Sequence, residues 1–241
     1  RRQRQMCIRD RMIAQRVGKT RFAEMLRKFG LGHTTGIELA GESAGVVPAL
    51  RQWQGGSFAS LPIGQGLSLT LLQMASMYQT IANDGLRIPP RIIASITKPN
   101  GQVVHQDSPA GVRVVSAETA RTVRNMFRAV VQQDTGYQQG TGPQASVEGY
   151  QISGKTGTAQ QVDPRCNCYS NSMYWITFAG IAPADNPRYV IAIMLDNPVR
   201  GVHGEGGQSA APLFHDIAQW LLARDNVPLS PPAPRLILQA G

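Results

Sequence analysis

Ser153-Gly154-Lys155-Thr156-Gly157-Thr158-Ala159-Gln160 is the stretch on which the fold turns. From Tyr150 onward the apolar spacing moves toward two, the period of a strand. Ile152, Thr156 and Thr158 then share one strand face, with Gly154 between them. Met173 to Ile181 reads as a second strand and Tyr189-Val190-Ile191-Ala192-Ile193-Met194-Leu195 as a third, β-branched and apolar. The turn Ala182-Pro183-Ala184-Asp185-Asn186-Pro187 separates them. Pro212 suits the first turn of a closing helix that carries Leu213, Phe214, Ile217, Leu221 and Leu222.

Upstream the spacing is helical. Phe22, Met25, Leu26 and Phe29 fall on one face of a helix that Thr20 can cap and Gly30 can stop. Residues 31–66, rich in Gly, Pro and Ser, read as loop. A second helix starts at the cap Thr70, carries Leu71, Met74, Ala75, Tyr78, Ile81 and Ala82, and ends at Gly85. Ile88 to Ile96 has room for a short strand after Pro89-Pro90, and Asn100-Gly101 is a hairpin signal. Ser116 opens a third helix with Val123, Phe127, Val130 and Val131 on one face. After Asn226 the prolines predict an extended tail, residues 227–241.

The chain of 241 residues is 42% hydrophobic and 16% charged, so it can bury a core. It contains no apolar run long enough to cross a membrane and no signal peptide. The net charge is +9, of which Arg1, Arg2, Arg4, Arg9 and Arg11 against Asp10 carry +4, leaving +5 on the rest. No stripe of Lys and Arg interleaved with aromatics appears, so no nucleic-acid partner is expected. Met6-Cys7-Ile8-Arg9-Asp10 resembles a translated sequencing adapter, which marks residues 1–11 as an expected artefact.

Several pieces resemble one family, in order along the chain. They are Phe29-Gly30-Leu31-Gly32, Thr35-Gly36-Ile37-Glu38-Leu39 with Gly41-Glu42-Ser43-Ala44-Gly45, Ile63-Gly64-Gln65-Gly66 before the helix from Thr70, Gly140-Thr141-Gly142, and the Lys-Thr-Gly strand. Together they resemble the C-terminal part of the transpeptidase domain of class B penicillin-binding proteins, in its division-specific actinobacterial form. Lys-Thr-Gly is one of three motifs of that superfamily, beside S-x-x-K and S-x-N elements. The resemblance implies an α+β fold of the penicillin-binding/β-lactamase-like serine transpeptidase type, an antiparallel sheet flanked by helices. Residues 12–226 would form the C-terminal part of that domain, N-terminally truncated. It implies a D,D-transpeptidase that cross-links peptidoglycan stem peptides through a serine acyl-enzyme and binds β-lactam antibiotics. Divisome membrane proteins are the implied partners. The implied location is the extracytoplasmic face of the plasma membrane, with an N-terminal transmembrane anchor outside this chain.

Within that resemblance Lys155 and Thr158 are the expected catalytic residues, and Thr156, Gly157 and Thr158 the expected substrate-binding residues. The Lys155 ammonium would supply charge beside the serine and attract a carboxylate. The Thr156 and Thr158 hydroxyls suit hydrogen bonds to that carboxylate. Gly157 allows close approach, and the Thr158 N–H would be one oxyanion donor. The blander readings are a solvated strand lysine and plain β-propensity of Thr. Ser76-Met77-Tyr78-Gln79 and Ser43-Ala44-Gly45-Val46 lack a Lys at the fourth position, and Ser170-Asn171-Ser172 follows Lys-Thr-Gly instead of preceding it. The nucleophile is therefore expected upstream of this chain. Cys166 and Cys168 offer too few ligands for a metal. They are left as a disulfide, two free thiols or partners of other cysteines. No metal and no organic cofactor is expected. His203 reads as a loop residue, His33 and His105 as surface residues, and the methionines as core filler. A β-lactamase, a D,D-carboxypeptidase or a catalytically silent β-lactam sensor remain the alternatives.

Overall fold

A computed structural model describes residues 2–53, 57–107, 109–133, 139–199 and 206–233. The chain divides into two compact units, Arg1–Ser76 with Leu86–Val114 and Met77–Gly85 with Val115–Gly241.

In the first unit, helices α1 (Arg2–Val17) and α2 (Lys19–Lys28) flank Gly18. Gly18 occupies the cap position of α2 at φ 82, so the helix begins before Thr20, which lies in its first turn and not at its cap. Its far end stops at Gly30, φ 82, with the Gly30 N–H on Arg27 O. Phe22 and Leu26 pack onto a cluster of Ala14, Trp53, Phe58 and Leu61. Trp53 and Phe58 stack with centroids 5.8 Å apart. This cluster corrects the loop reading of residues 31–66. Burying a large apolar side chain is worth about 1.5–3 kcal/mol. Around these rings the chain coils into 3-10 turns at Leu50–Gln52 and Leu61–Ile63 and the short helix α3 (Ser57–Ser60).

Helix α4 (Leu71–Ala82) has the cap expected at Thr70. The Gln73 N–H donates to Thr70 Oγ1 at 3.1 Å, and the Thr70 N–H donates to Gln73 Oε1 at 2.9 Å. The short strand expected after Pro89-Pro90 forms at the far end of Ile88 to Ile96, as β2 (Ser95–Thr97). Pairing is confined to β1 (Leu86–Arg87) with β4 (Val112–Arg113), and to β2 (Ser95–Thr97) with β3 (Val103–His105). Pro89 and Pro90 have no N–H to give a ladder. Asn100-Gly101 turns the β2–β3 hairpin as expected, with Gly101 at φ 81.

The second unit holds the sheet. Helix α5 (Ala117–Val131) starts at the cap Ser116, whose hydroxyl accepts the Thr119 N–H at 3.1 Å. Strands β5 (Ser153–Asp163), β6 (Cys168–Ala182) and β7 (Tyr189–Asp196) form an antiparallel sheet in the order β5-β6-β7. Helix α6 (Ala210–Arg224) covers one face. Phe178 of β6 meets Phe214 of α6 with centroids 4.9 Å apart, in a core with Ile152, Ile176, Ala182, Ile191 and Leu222. Toward α5, the buried Ser153 hydroxyl donates to Arg124 O at 2.6 Å. Arg124 is itself buried, its guanidinium donating to Ala82 O at 2.9 Å and to Asp84 Oδ1 at 3.2 Å. This ties the end of α4 to α5. Asp84 is held below the usual carboxylate range, first by its hydrogen bond from Arg121.

Of the proline-rich segment after Asn226, residues 227–233 are described, without helix or strand, and they are docked. Val227 is buried in the core, and its carbonyl accepts the Tyr150 hydroxyl at 2.7 Å. The Gln151 N–H donates to Ser230 Oγ at 2.9 Å. None of the buried apolar residues among those described is a methionine, and Met126 is 63% exposed, so the core-filler reading is corrected. Branched and aromatic side chains fill this core instead.

Candidate active site

β5 is an edge strand: β6 pairs with one side of it, and no described strand pairs with the other. Along it Lys155 faces Ala179, Thr156 faces Phe178, Gly157 faces Thr177 and Thr158 faces Ile176. Alternation puts Thr156 and Thr158 on one face and Lys155 and Gly157 on the other. Lys155 and Thr158 are exposed and Thr156 is half-buried. The Lys155 ammonium donates to Thr156 O at 2.8 Å, so it lies along the strand instead of pointing away. A cation and two hydroxyls thus line a stretch of four residues. A Cβ on Gly157 would come within 2.2 Å of Thr177 Oγ1, so a side chain here would require the Thr177 hydroxyl to turn away.

One residue of this site was not assigned from sequence. Thr141 lies between Gly140 and Gly142, and its hydroxyl shares a hydrogen bond with the Thr156 hydroxyl at 3.0 Å. The Gly140 N–H donates to Gln132 O and the Gly142 N–H to Val130 O, both at 2.9 Å, which hangs the run from the end of α5. On its other side a Cβ at Gly207 would come within 2.0 Å of Thr141 O. The glycines let backbone close in around Thr141, leaving its side chain aimed at β5. The clue in the sequence was a lone hydroxyl between glycines ahead of the strand.

Beyond the site the β5–β6 hairpin continues. Its register shifts between Gln160 and Val162. The Gln160 amide donates to Ser170 O at 2.9 Å, and the Gln161 amide to Asp196 Oδ1 at 2.8 Å. At the tip Cys166 and Cys168 form a disulfide, which settles their pairing. Asp163 is held below the usual carboxylate range by its hydrogen bonds from Arg165. No group of His, Cys, Asp and Glu among the described residues could hold a metal.

One S-x-x-K run does occur, Ser95-Ile96-Thr97-Lys98, contrary to the expectation that the chain holds none. Ser95 to Thr97 form strand β2 and Lys98 follows it, in the exposed hairpin of the first unit. Residues three apart on a strand project to opposite faces, whereas on a helix they share one. The Lys98 ammonium donates to Gln102 Oε1 at 3.3 Å. Ser95 therefore does not have its lysine beside it. Ser170 is buried, and its hydroxyl accepts the Met173 N–H at 3.0 Å within β6, where the register shifts. His33 and His105 are exposed, His215 meets Ser146 O through Nδ1, and His203 lies outside the described residues.

The family model described as the penicillin-binding protein transpeptidase domain matches residues 11–219. Penicillin-binding protein PbpB of Mycolicibacterium smegmatis is 67% identical over 231 residues, 95% of this chain and 36% of that protein. PbpB of Mycobacterium tuberculosis is 65% identical, over 95% of this chain and 34% of that protein. The crystal structure of penicillin-binding protein 3 of the same organism, complexed with ampicillin, superposes with a TM-score of 0.91 at 65% identity, covering 96% of this chain and 52% of that one. The chain thus spans about a third of the length of these curated relatives. The fold is the penicillin-binding/β-lactamase-like one, and the expected kinship with actinobacterial penicillin-binding proteins holds. With its Lys-Thr-Gly edge strand and these relatives, this chain belongs to the penicillin-binding protein transpeptidase family.

Proposed function

We propose that this chain forms the Lys-Thr-Gly side of a serine D,D-transpeptidase that cross-links peptidoglycan stem peptides and is acylated by β-lactams. The observation that carries the proposal is the open edge of β5. There the Lys155 ammonium and the Thr156 and Thr158 hydroxyls are set to receive a carboxylate, which stem peptides and β-lactams both bear. The Thr156 carbonyl accepts the Lys155 ammonium, as a carbonyl turned to the open edge can. In an antiparallel pair, residues two apart present their N–H and C=O to the same side. That supports the Thr158 N–H as a donor to an oxyanion at the free edge.

The acyl-accepting serine is not Ser95, and its lysine partner belongs to sequence outside this chain. Support comes from the greater length of the relatives, among them a probable peptidoglycan D,D-transpeptidase of Neisseria meningitidis at 34% identity. Extracytoplasmic placement, a membrane anchor and division partners belong to the same proposal. No described helix is long and apolar enough to cross a membrane.

The test uses labelled penicillin and intact-protein mass spectrometry. A full-length transpeptidase carrying this segment gives a one-to-one adduct, and the segment alone gives none. Lys155→Ala in the full-length protein slows acylation by about 10²–10³ with the thermal transition unchanged. Near-normal acylation of that variant, or a stable adduct on the isolated segment, overturns the assignment.

A further inference from the structure

The β5–β6 hairpin ends in Asp163-Pro164-Arg165-Cys166-Asn167-Cys168, and its disulfide plays no part in the transpeptidase reading. Both cysteines are exposed, and neither belongs to a hydrophobic cluster. The bond joins residues separated by 2 positions. A disulfide restrains the unfolded chain more as the loop it closes lengthens, and this loop is very short. The tip also has its own hydrogen bonds. Val162 faces Tyr169 and Asp163 faces Cys168 in the ladder. Asp163 O accepts the Cys166 N–H at 3.3 Å, and Asp163 Oδ1 accepts the Arg165 N–H at 2.9 Å. The Arg165 guanidinium closes onto the same carboxylate at 2.7 Å. The bond therefore adds little to what already shapes the turn, so structure alone does not account for it.

Its surroundings suit exchange chemistry. The sulfurs sit on an exposed turn, within reach of an incoming thiolate. The Arg165 guanidinium is turned onto the Asp163 carboxylate, so the two charges offset each other and leave the sulfurs open to attack.

We propose that Cys166–Cys168 is a thiol–disulfide exchange site for a dithiol-bearing partner protein. A thiolate of the partner attacks one of the two sulfurs. An intermolecular S–S bond forms, the Cys166–Cys168 bond breaks, and the other cysteine leaves as a thiolate. The second thiolate of the partner then attacks its own sulfur in the mixed disulfide and releases the remaining cysteine. Two electrons pass from the partner's dithiol, which becomes a disulfide, and solvent protons neutralise the thiolates. The reverse sequence restores the bond. The register shift at Gln160/Val162 and the Gln160 and Gln161 amide bonds lie between the tip and Lys155. Exchange therefore changes the tip without altering the pairing of the Lys-Thr-Gly stretch, and the proposal does not rest on the transpeptidase reading.

The test uses the full chain with Cys7→Ser, which leaves two cysteines. Native protein is treated with dithiothreitol and then N-ethylmaleimide, and the labelled peptides are mapped. Reduction in the native state is expected within about threefold of the rate in the urea-unfolded chain, with a thermal transition moved by less than about 2 °C. Reduced thioredoxin with its second cysteine replaced by Ser is expected to be trapped on Cys166 or Cys168. Labelling without reductant, or reduction only after unfolding, overturns the proposal. Reduction by dithiothreitol with no thioredoxin adduct overturns the protein partner. Cys166→Ser with Cys168→Ser gives the independent check: a transition lowered by more than about 5 °C makes the bond a structural staple and the proposal false.

Discussion

Thr141 and Thr156, 15 residues apart in the chain, join their side-chain hydroxyls at 3.0 Å. A hydroxyl rotates freely about its C–O bond unless a partner fixes it. Thr141 thus sets the direction in which Thr156 presents its proton or lone pair to the edge of β5.

Thr141→Val in a full-length transpeptidase is expected to lower the rate of β-lactam acylation by about three- to tenfold, the worth of one neutral hydrogen bond. Thr141→Ser, which keeps the hydroxyl, is expected to lose less. Equal losses in the two variants would assign Thr141 to packing alone.

Thr156→Val is expected to be milder than Lys155→Ala, because the ammonium remains to attract the carboxylate. Acylation rates of the two variants, measured with the same labelled penicillin, check the order. A reversed order would shift the main charge-stabilising role away from Lys155.

Asp225 sits at the end of α6 with its pKa lowered to about 2. The Arg224 guanidinium is the first cause, donating at 2.6 and 3.0 Å, and the Tyr189 hydroxyl is the second. A depressed carboxylate stabilises the fold fully above its unfolded pKa of about 3.9. That contribution is lost as the pH falls through the folded value. The transition temperature of Asp225→Asn is expected to depend less on pH between about 4 and 2 than that of the unmodified chain. Parallel pH profiles would count against the interaction.

β7 is apolar on both faces, and no described strand lies on its outer edge. Such an edge is a template for pairing with another chain. The isolated chain is expected to elute in size-exclusion chromatography with light scattering as a species larger than a monomer. Met194→Lys, which places a charge on that strand, is expected to shift it toward monomer. A monodisperse monomer would contradict this.

What was legible in the sequence was local. Thr70 and Ser116 announce their helices because each bonds a residue three positions on. Asn100-Gly101 carries its turn in its own backbone, and Thr156 and Thr158 share a face through strand alternation alone. Features made by distant partners were not legible. Arg124 looks like a solvated helix residue, yet it is buried because Ile81 O and Ala82 O, 43 and 42 positions away, receive its guanidinium. Ser95-Ile96-Thr97-Lys98 has the letters of a nucleophile motif, but a strand separates the two side chains that a helix would align. The loop reading of residues 31–66 went astray because its polar composition hid the few rings that collapse together.

The docking of Val227 and Ser230 bears on where this protein can be cut. Tyr150 and Gln151 lead straight into the Lys-Thr-Gly strand, and their partners lie 77 and 79 positions downstream. An expression fragment ended at Asn226 would keep every motif yet strip the Tyr150 hydroxyl and the Gln151 N–H of these acceptors. It would also uncover the core around Val227. The safe cloning boundary therefore lies beyond Pro231, whose carbonyl still accepts the Gln151 amide, although composition alone marks this stretch as dispensable.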